Sequence, residues 1–343
     1  MTPPISVLAS GLASAPIAQP PVSRLLADIG GTNARFAWQA SANAPLSDIA
    51  VYPCADHHSL QAAIAHYLQA QHKPSPQWCA IGIANPVLGD QVQMTNHDWS
   101  FSTAALAKHL GVEQLRVIND FTALALALPA LGSADLLAIG DVDANFYNVP
   151  NPATLATKAL LGPGTGLGVS GLVLGNHGVL VPISGEGGHV SLSAHDEREA
   201  GVIGWLTQRF GHASAERALS GPGLCNLYAA LCALNGQQAE PLTPAQVLER
   251  AQTACDRWCV DALAVFCSLL GSVAGDLALT LGARGGVYLG GGIAPRITEQ
   301  LRASLFRQRF VAKGRFRSYL EAIPTFVIDS RTPAALLGAA RAF

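Results

Sequence analysis

The stretch LLADIGGTNARFAW, residues 25–38, decides how this chain is expected to fold. Its first apolar run ends in the acid Asp28, two glycines and a threonine follow, and a second apolar run begins at Ala34. Gly30 and Gly31 can adopt the positive φ angles of a tight turn, so the stretch predicts a strand, a turn and a second strand. The carboxylate beside the turn either caps that turn or belongs to a ligand site.

The same order of strand, glycine turn with threonine, and strand occurs again in KALLGPGTGLGVSGLVL, residues 158–174. A third apolar run ends in three glycines in GGVYLGGGI, residues 285–293. Each turn alone is compatible with an ordinary hairpin connection. All three follow strands, however, which is where α/β folds bind ligands, and backbone N–H groups without a neighbouring β-carbon can hold phosphate oxygens.

Strands alternate with helical segments along the chain. SLQAAIAHYLQA (59–70) has helical apolar spacing, whereas CAIGIANPV (79–87) and QLRVINDF (114–121) are predicted to be buried strands. Such alternation predicts an α/β layer structure. The chain has 343 residues, of which 50% are hydrophobic and 13% are charged, so we expect two domains, each with its own core.

The overall charge and the cysteines exclude several classes of function. A formal net charge of −2 gives no electrostatic reason to bind nucleic acid or an anionic membrane. The seven cysteines are an odd number scattered without a paired framework, which favours a reducing cytoplasm, and the absence of a CxxC pair argues against a zinc site. Residues 1–23 contain five prolines and no charged side chain, so we expect a flexible extension rather than a signal peptide.

One local stretch is strongly basic. Its six basic residues are interrupted by no acid and are interpreted as a solvated helix face followed by a basic turn. They are Arg302, Arg307, Arg309, Lys313, Arg315 and Arg317.

Two carboxylates at predicted strand ends are candidates for catalytic chemistry. Asp28 would repel phosphates bound at its turn unless a divalent cation lay between, so it is a candidate Mg²⁺ ligand, through water. In VINDFTA (117–123), Asn119 and Asp120 either cap the following helix or, for Asp120, supply a general base that accepts the proton of an attacking hydroxyl.

A third constellation is ISGEGGHV, residues 183–190, where Glu186 and His189 stand three apart among glycines. Both side chains could reach one polyhydroxylated molecule, whereas one His and one Glu are too few ligands for a metal. Glu216 precedes another glycine turn and by itself would be a routine surface acid. The chain lacks the P-loop, the dinucleotide-binding fingerprint after the first strand, and the protein-kinase motifs.

Eight blocks in one order resemble the bacterial glucokinases of the hexokinase, actin and Hsp70 superfamily, from about Leu25 to the C terminus. The blocks are ADIGGTNARFA, MTNHDWSFS, VINDFTALALALP, GPGTGLGV, GEGGHVSL, SAERALSGPGLCNLY, GGVYLGGGIAPR and KGRFRSYL.

The resemblance implies a role for each matching position. It implies a first phosphate motif, with the acid near Mg²⁺, at Asp28, Gly30, Gly31 and Thr32. It implies a second phosphate motif at Gly164, Thr165 and Gly166, and an adenosine motif at Gly290, Gly291 and Gly292. It implies a sugar-binding set of Asn96, Asn119, Asp120, Glu186, His189 and Glu216, in which Asp120 takes the proton of the sugar 6-hydroxyl.

The resemblance also implies an architecture and an activity. Two ribonuclease-H-like, actin-type α/β domains would face each other across a cleft, a smaller one from residues 24–131 with 331–343 and a larger one from 132–330. The expected reaction is the ATP-dependent, Mg²⁺-dependent phosphorylation of glucose to glucose 6-phosphate by a cytoplasmic homodimer. Pro163 and Ser184 depart from the usual family pattern. A catalytically weak sugar-sensing paralogue and a kinase for another hexose stay open as alternatives.

Overall fold

The computed structural model describes residues 22–94, 97–141, 156–175 and 178–343. Its strands are β1 (Arg24–Ile29), β2 (Asn33–Gln39), β3 (Ser47–Pro53), β4 (Trp78–Ile83), β5 (Gln91–Gln93), β6 (Ser100–Ser102), β7 (Gln114–Asn119), β8 (Leu136–Ala138), β9 (Lys158–Pro163), β10 (Leu167–Leu174), β11 (Leu180–Gly185), β12 (Val287–Leu289) and β13 (Thr325–Ile328). Its helices are α1 (Leu60–Ala70), α2 (Thr103–Leu110), α3 (Asp120–Ala127), α4 (Glu197–Phe210), α5 (Ala215–Ala218), α6 (Gly221–Leu234), α7 (Pro244–Gln252), α8 (Arg257–Leu281), α9 (Thr298–Ala303), α10 (Phe306–Val311), α11 (Arg317–Glu321) and α12 (Ala334–Ala339).

The two large sheets share one topology. In the first, with order β3-β2-β1-β4-β7, strands β1 to β3 form an antiparallel meander and β4 and β7 run parallel to β1. In the second, with order β11-β10-β9-β12-β13-β8, strands β9 to β11 form the meander and β12 and β13 run parallel to β9. Strand β8 adds an antiparallel edge. This repeated order confirms the predicted α/β class with two ribonuclease-H-like halves.

Local sequence explains where the elements near the turns begin and end. The predicted strand over 114–121 ends two residues early, because the Asn119 side chain accepts hydrogen bonds from the N–H groups of Phe121 and Thr122 and caps α3. Helix α1 begins after Ser59, whose hydroxyl accepts the N–H of Ala62. Strand β12 is only three residues long and stops before the three glycines.

Each sheet has its own core. Leu25, Ile64 and Tyr67 are buried between the first sheet and α1. Around the second sheet the core centres on α8, a 25-residue helix that is long and apolar enough to cross a bilayer. In this fold 67% of its most apolar window is buried, so α8 is the core helix of the second half.

The C-terminal segment packs back onto the first half. Helix α12 contacts α3 and β1, and a β-carbon at Gly338 would overlap the carbonyl of Ala123, so only glycine permits this helix crossing. The guanidinium of Arg24 lies 5.0 Å from the ring centre of Trp78 and 5.1 Å from that of Phe343. The strands of the first sheet lie within residues 24–119 and those of the second within 136–328. The domain boundaries themselves, and a flexible extension at 1–23, stay predictions; residues 1–21 lie outside the described ranges.

The interpretation of the basic stretch as a solvated face is wrong for one residue. Arg309 in α10 is buried, and its Nη2 donates to Asp196 Oδ2 at 2.8 Å and to Glu199 Oε1 at 2.6 Å. Glu199 is buried as well. The pair joins α10 to the start of α4, more than one hundred residues apart in sequence, and therefore could not be read from local charge spacing.

Candidate active site

Strand register places the first glycine turn and the carboxylate of Asp120 at one edge of the first sheet. Ile29 in β1 pairs with Ile83 in β4, and Ile83 pairs with Asn119 in β7. The three strands are parallel, so their carboxyl ends meet, and ligands of α/β sheets bind at such an edge. Residues 30–32 follow the end of β1 directly, and Asp120 follows the end of β7.

In the second sheet, strand register likewise brings two glycine segments to one edge. Leu161 in β9 pairs with Leu289 in β12, so the GPGTG turn and the glycines at 290–292 begin at the same edge. The two segments touch, because the N–H of Ile293 donates to the carbonyl of Pro163 at 3.1 Å. Gly291 has a φ of +76°, and a β-carbon there would lie 2.5 Å from that carbonyl oxygen. Only glycine fits this close approach.

The two edges face one cleft of about 870 Å³. Most of the predicted phosphate, adenosine and catalytic residues line it. These are Asp28, Gly30, Gly31, Thr32, Asp120, Gly164, Thr165, Gly290, Gly291 and Gly292. Residues that are more than 250 positions apart in sequence are thus brought around a single space.

Asp120 is the first residue of α3 and is held by its neighbours. Its Oδ1 accepts a hydrogen bond from Asn119 Nδ2 at 2.9 Å and another from the N–H of Phe121 at 2.9 Å. Burial, followed by the charge of Asp28, raises the pKa of Asp120 to about 6, although these hydrogen bonds oppose the shift. A carboxylate in this state is ionised at neutral pH and is a stronger base than an exposed aspartate.

Asp28 is the other carboxylate at this edge. Its Oδ2 accepts a hydrogen bond from Arg35 Nη1 at 3.2 Å, across the β1–β2 pair in which the two residues are register partners. Burial raises the pKa of Asp28, and Arg35 opposes the rise. Among the described residues no three His, Cys, Asp or Glu side chains cluster as an all-protein metal site. Asp28 suits Mg²⁺ as its one protein ligand, since Mg²⁺ keeps several waters and takes substrate phosphates as ligands.

The remaining predicted sugar-site residues lie outside the lining of this cleft. Glu186 and His189 are exposed on the turn of 3-10 helix that follows β11. Glu216 at the start of α5 accepts the N–H of Leu167 through Oε2 at 2.9 Å, and a β-carbon at Gly166 would collide with this carboxylate. Asn119 immediately precedes Asp120 and caps the N terminus of α3. Asn96 lies outside the described residues.

The cleft is also lined by residues that the sequence motifs did not predict. Arg35, Arg296 and Asp329 line it, and Arg331 forms a two-pronged ion pair with Asp329 by donating from Nε to Oδ1 and from Nη2 to Oδ2. Asp329 follows the buried strand β13 at the edge next to β12. An acid directly after an apolar strand is the signal that identified Asp28 and Asp120, so the same rule could have found Asp329.

Comparison with known proteins gives a consistent family. A family model described as Glucokinase matches residues 25–343. The chain is 51% identical over 320 residues to a curated glucokinase of Aromatoleum aromaticum, which covers 93% of this chain and 94% of that protein. It is 45% identical over 331 residues to a glucokinase of Neisseria meningitidis, covering 96% and 98% of the two chains.

Solved structures agree with the fold. The crystal structure of glucokinase from an Antarctic psychrotroph superposes with a TM-score of 0.81 at 38% identity and covers 93% of this chain and 98% of that one. A glucokinase of Balamuthia mandrillaris, solved in complex with glucose, superposes with a TM-score of 0.73 at 18% identity over 94% and 93% of the chains. At that identity the likeness concerns the fold alone.

Proposed function

The chain belongs to the glucokinase family, and on that premise we propose that it transfers the γ-phosphoryl group of ATP to the 6-hydroxyl of glucose, with Asp120 as the general base. The observation that carries this proposal is the register of β1, β4 and β7, which puts Asp120 beside the first glycine turn and opposite the second. The reaction needs an alcohol, a triphosphate and a base in one space; the candidate base and both glycine turns line the cleft, and the alcohol would lie beside Asp120.

The glycine turns supply the binding surface for the nucleotide. The N–H of Gly30 donates to Asn33 and that of Gly164 to Gly166, so the proposed phosphate donors are Gly31 and Thr32 in one half and Thr165 and Gly166 in the other. Gly290, Gly291 and Gly292 would lie along the adenosine. Arg35 adds a positive charge at the phosphate end. Pro163 donates no N–H, but its carbonyl fixes the adenosine segment through Ile293, which gives this family departure a structural role.

Asp28 would hold Mg²⁺ through water. The cation, when bound, neutralises charge on the phosphates during transfer. The carboxylate of Asp28 would hold this charge, and Arg35, which pairs with Asp28, would then face the phosphates.

Asp120 acts on the sugar. Its hydrogen bonds from Asn119 Nδ2 and from the N–H of Phe121 leave Oδ2 to meet the 6-hydroxyl. As the sugar oxygen forms its bond to the γ-phosphorus, the bond to the β,γ-bridging oxygen breaks, ADP leaves, and the hydroxyl proton passes to Asp120. General-base catalysis of this kind contributes about 10²- to 10⁴-fold in rate.

The sugar site would be completed by closure of the two halves. We assign glucose binding to Asn96, Asn119, Glu186, His189 and Glu216, with Asp120 among them. The exposed turn that carries Glu186 and His189 follows β11, and β11 is tied to α3 by a contact of 3.2 Å between the hydroxyls of Thr122 and Ser184. Movement of residues 24–131 with 331–343 against 132–330 would bring these side chains to the sugar and exclude water, the competing acceptor.

The proposal also covers the cellular compartment, the pathway and the oligomeric state of the enzyme. Seven free cysteines, six of them at least half-buried, suit a reducing cytoplasm, and glucose phosphorylation would begin glycolysis there. A homodimer is proposed from the family resemblance.

A coupled assay with ATP, Mg²⁺ and glucose tests the proposal, using wild type, Asp120→Asn and the control Asp276→Asn, whose carboxylate lies on exposed helix surface. We expect Asp120→Asn to lose about 10²- to 10⁴-fold in kcat, while calorimetry shows glucose and ATP binding within a few-fold of wild type. Asp276→Asn should keep wild-type turnover. Wild-type rates from Asp120→Asn would refute the assignment of the base, and a hexose panel that excludes glucose would refute the substrate.

A further inference from the structure

Phe121 follows Asp120 in α3, but its ring packs on the other half of the molecule. Gly162 in β9 and Gly168 in β10 are direct register partners in the second sheet. A β-carbon at Gly162 would lie 2.7 Å from Phe121 Cζ, and one at Gly168 would overlap the ring. The two glycines therefore form a flat seat that the aromatic ring fills.

The seat is the base of the second phosphate turn. Gly164 to Gly166 connect the two strands one register pair beyond Gly162 and Gly168, so the ring rests on the hairpin whose tip carries Thr165. The main chain of the same residue holds the base, because the N–H of Phe121 donates to Asp120 Oδ1 at 2.9 Å and to Asn119 Oδ1 at 2.9 Å. One residue thus contacts the proposed general base with its backbone and the proposed phosphate hairpin with its side chain.

We propose that Phe121 is a positioning residue, which sets the place of Asp120 relative to the γ-phosphate by seating α3 on the Gly162–Gly168 pair. The inference rests on the proposed function, since it takes Asp120 as the base. Asp120 is anchored to the first sheet through β7, while the second phosphate turn belongs to the second sheet. The ring of Phe121 bridges the two and holds the first turn of α3 against the second phosphate hairpin, so the proposed closure of the halves would turn about this contact.

A fixed separation matters because phosphoryl transfer is controlled by positioning. A displacement of about 1 Å in the reacting geometry costs on the order of 10²-fold in rate. The hydroxyl contact between Thr122 and Ser184 forms a second bridge from α3 to β11, so loss of the ring alone should loosen the first turn of α3 without unfolding it.

The first experiment separates positioning from general packing. Phe121→Leu is compared with Phe266→Leu, a fully buried ring in α8 that lies in the core of the second half away from the cleft. Steady-state kinetics with glucose and ATP, together with thermal unfolding, are measured for both. We expect Phe121→Leu to lose about 10- to 100-fold in kcat with both KM values within about threefold of wild type. We expect Phe266→Leu to lower the Tm and leave kcat within about twofold of wild type, since it truncates a core side chain only.

The second experiment tests the seat itself. The methyl group of Gly168→Ala would occupy the space of the ring and displace Phe121, so this variant alone should lose kcat. In the double variant Gly168→Ala with Phe121→Leu, the leucine lacks the ring atoms Cε2 and Cζ, and its Cδ atoms can rotate away from the new methyl group. The loss in kcat should then equal that of one single variant rather than the product of the two.

The outcomes distinguish this inference from the proposed function. If Asp120→Asn keeps wild-type turnover, the base assignment fails. If Asp120→Asn is inactive but Phe121→Leu matches Phe266→Leu in kcat, or the double variant shows the product of both losses, the positioning role of Phe121 is overturned. Should Phe121→Leu not fold, Phe121→Met replaces it with a similar volume but no planar ring. The same loss in kcat at unchanged KM is expected.

Discussion

Asp28 and Asp120 stand at the carboxyl ends of β1 and β7, on either side of β4, and both carboxylates line the same cleft. Burial and the negative charge of Asp28 together raise the pKa of Asp120 to about 6. The sequence places these acids more than ninety residues apart, and the sheet makes them electrostatic neighbours. In the proposed reaction one seats the metal and the other accepts a proton, so their coupling has consequences that can be measured.

The first prediction concerns the pH dependence of turnover. The active form of Asp120 is the carboxylate, so kcat/KM should fall as the pH is lowered through about 6. Asp28→Asn removes a negative charge that opposes ionisation of Asp120, so the pKa of Asp120 should fall and the acid limb should move to lower pH, at a reduced maximal rate. Asp276→Asn is the control and should leave the limb in place. An unshifted limb in Asp28→Asn would contradict the coupling.

The second prediction concerns stability. The folded-state pKa of Asp120, about 6, exceeds the ordinary 3.8, so this carboxyl favours the folded state when protonated, and that contribution is lost as the pH rises through 6. At pH 7.5 the free energy of unfolding of Asp120→Asn should therefore exceed that of wild type by on the order of 1–3 kcal/mol. The variant should accordingly unfold at a higher temperature. At pH 4 the gain should vanish. Equal Tm values at both pH values would show that ionised Asp120 costs the fold nothing.

The third prediction concerns the exposed turn after β11. Glu186→Gln keeps the size of the side chain and removes its charge, so glucose binding should weaken by about tenfold through loss of a charge-assisted hydrogen bond. Binding of ATP should stay within about twofold, because Glu186 lies outside the lining of the proposed nucleotide cleft. Titration calorimetry of both ligands measures the difference. Exposed Glu197→Gln serves as the matched control, and a variant that loses ATP rather than glucose affinity would exclude Glu186 from the sugar site.

The fourth prediction concerns the buried ion pair. Side-chain exposure is 5% for Arg309 and 2% for Glu199, so Arg309→Gln leaves a buried carboxylate without its cation. Breaking such a pair costs about 3–5 kcal/mol. Arg302→Gln removes an arginine that is 40% exposed and pairs with Glu299, and should cost less than about 1 kcal/mol. Urea unfolding of the two variants measures this contrast, and equal losses would show that burial adds nothing at Arg309.

Local patterns predicted the glycine turns and the acids beside them. The cap at Asn119 depends on a few adjacent residues, which is why a short motif predicted it. The positive φ expected at Gly30 and Gly31 is not found there; in the glycine segments of the cleft it occurs at Gly291 instead. Asp329 also follows an apolar strand and lines the same cleft, so the pattern of an acid after an apolar strand holds at a third position. Spacing along the chain paired Glu186 with His189, and the resemblance to the glucokinases added Glu216, but neither carried information on the separation of these side chains in space.

The sequence by itself determined the α/β class, the repeated strand–turn–strand units and the identity of Asp120 as a candidate base, because these depend on hydrophobic periodicity and on glycine and capping chemistry within a few residues. Only the tertiary structure decided that Phe121 sits on Gly162 and Gly168, that Glu216 holds the N–H of Leu167, and that Arg309 is buried against Glu199. Contacts of this kind join segments far apart in the chain. Their energies arise from close packing and desolvation between those segments, which no local pattern encodes.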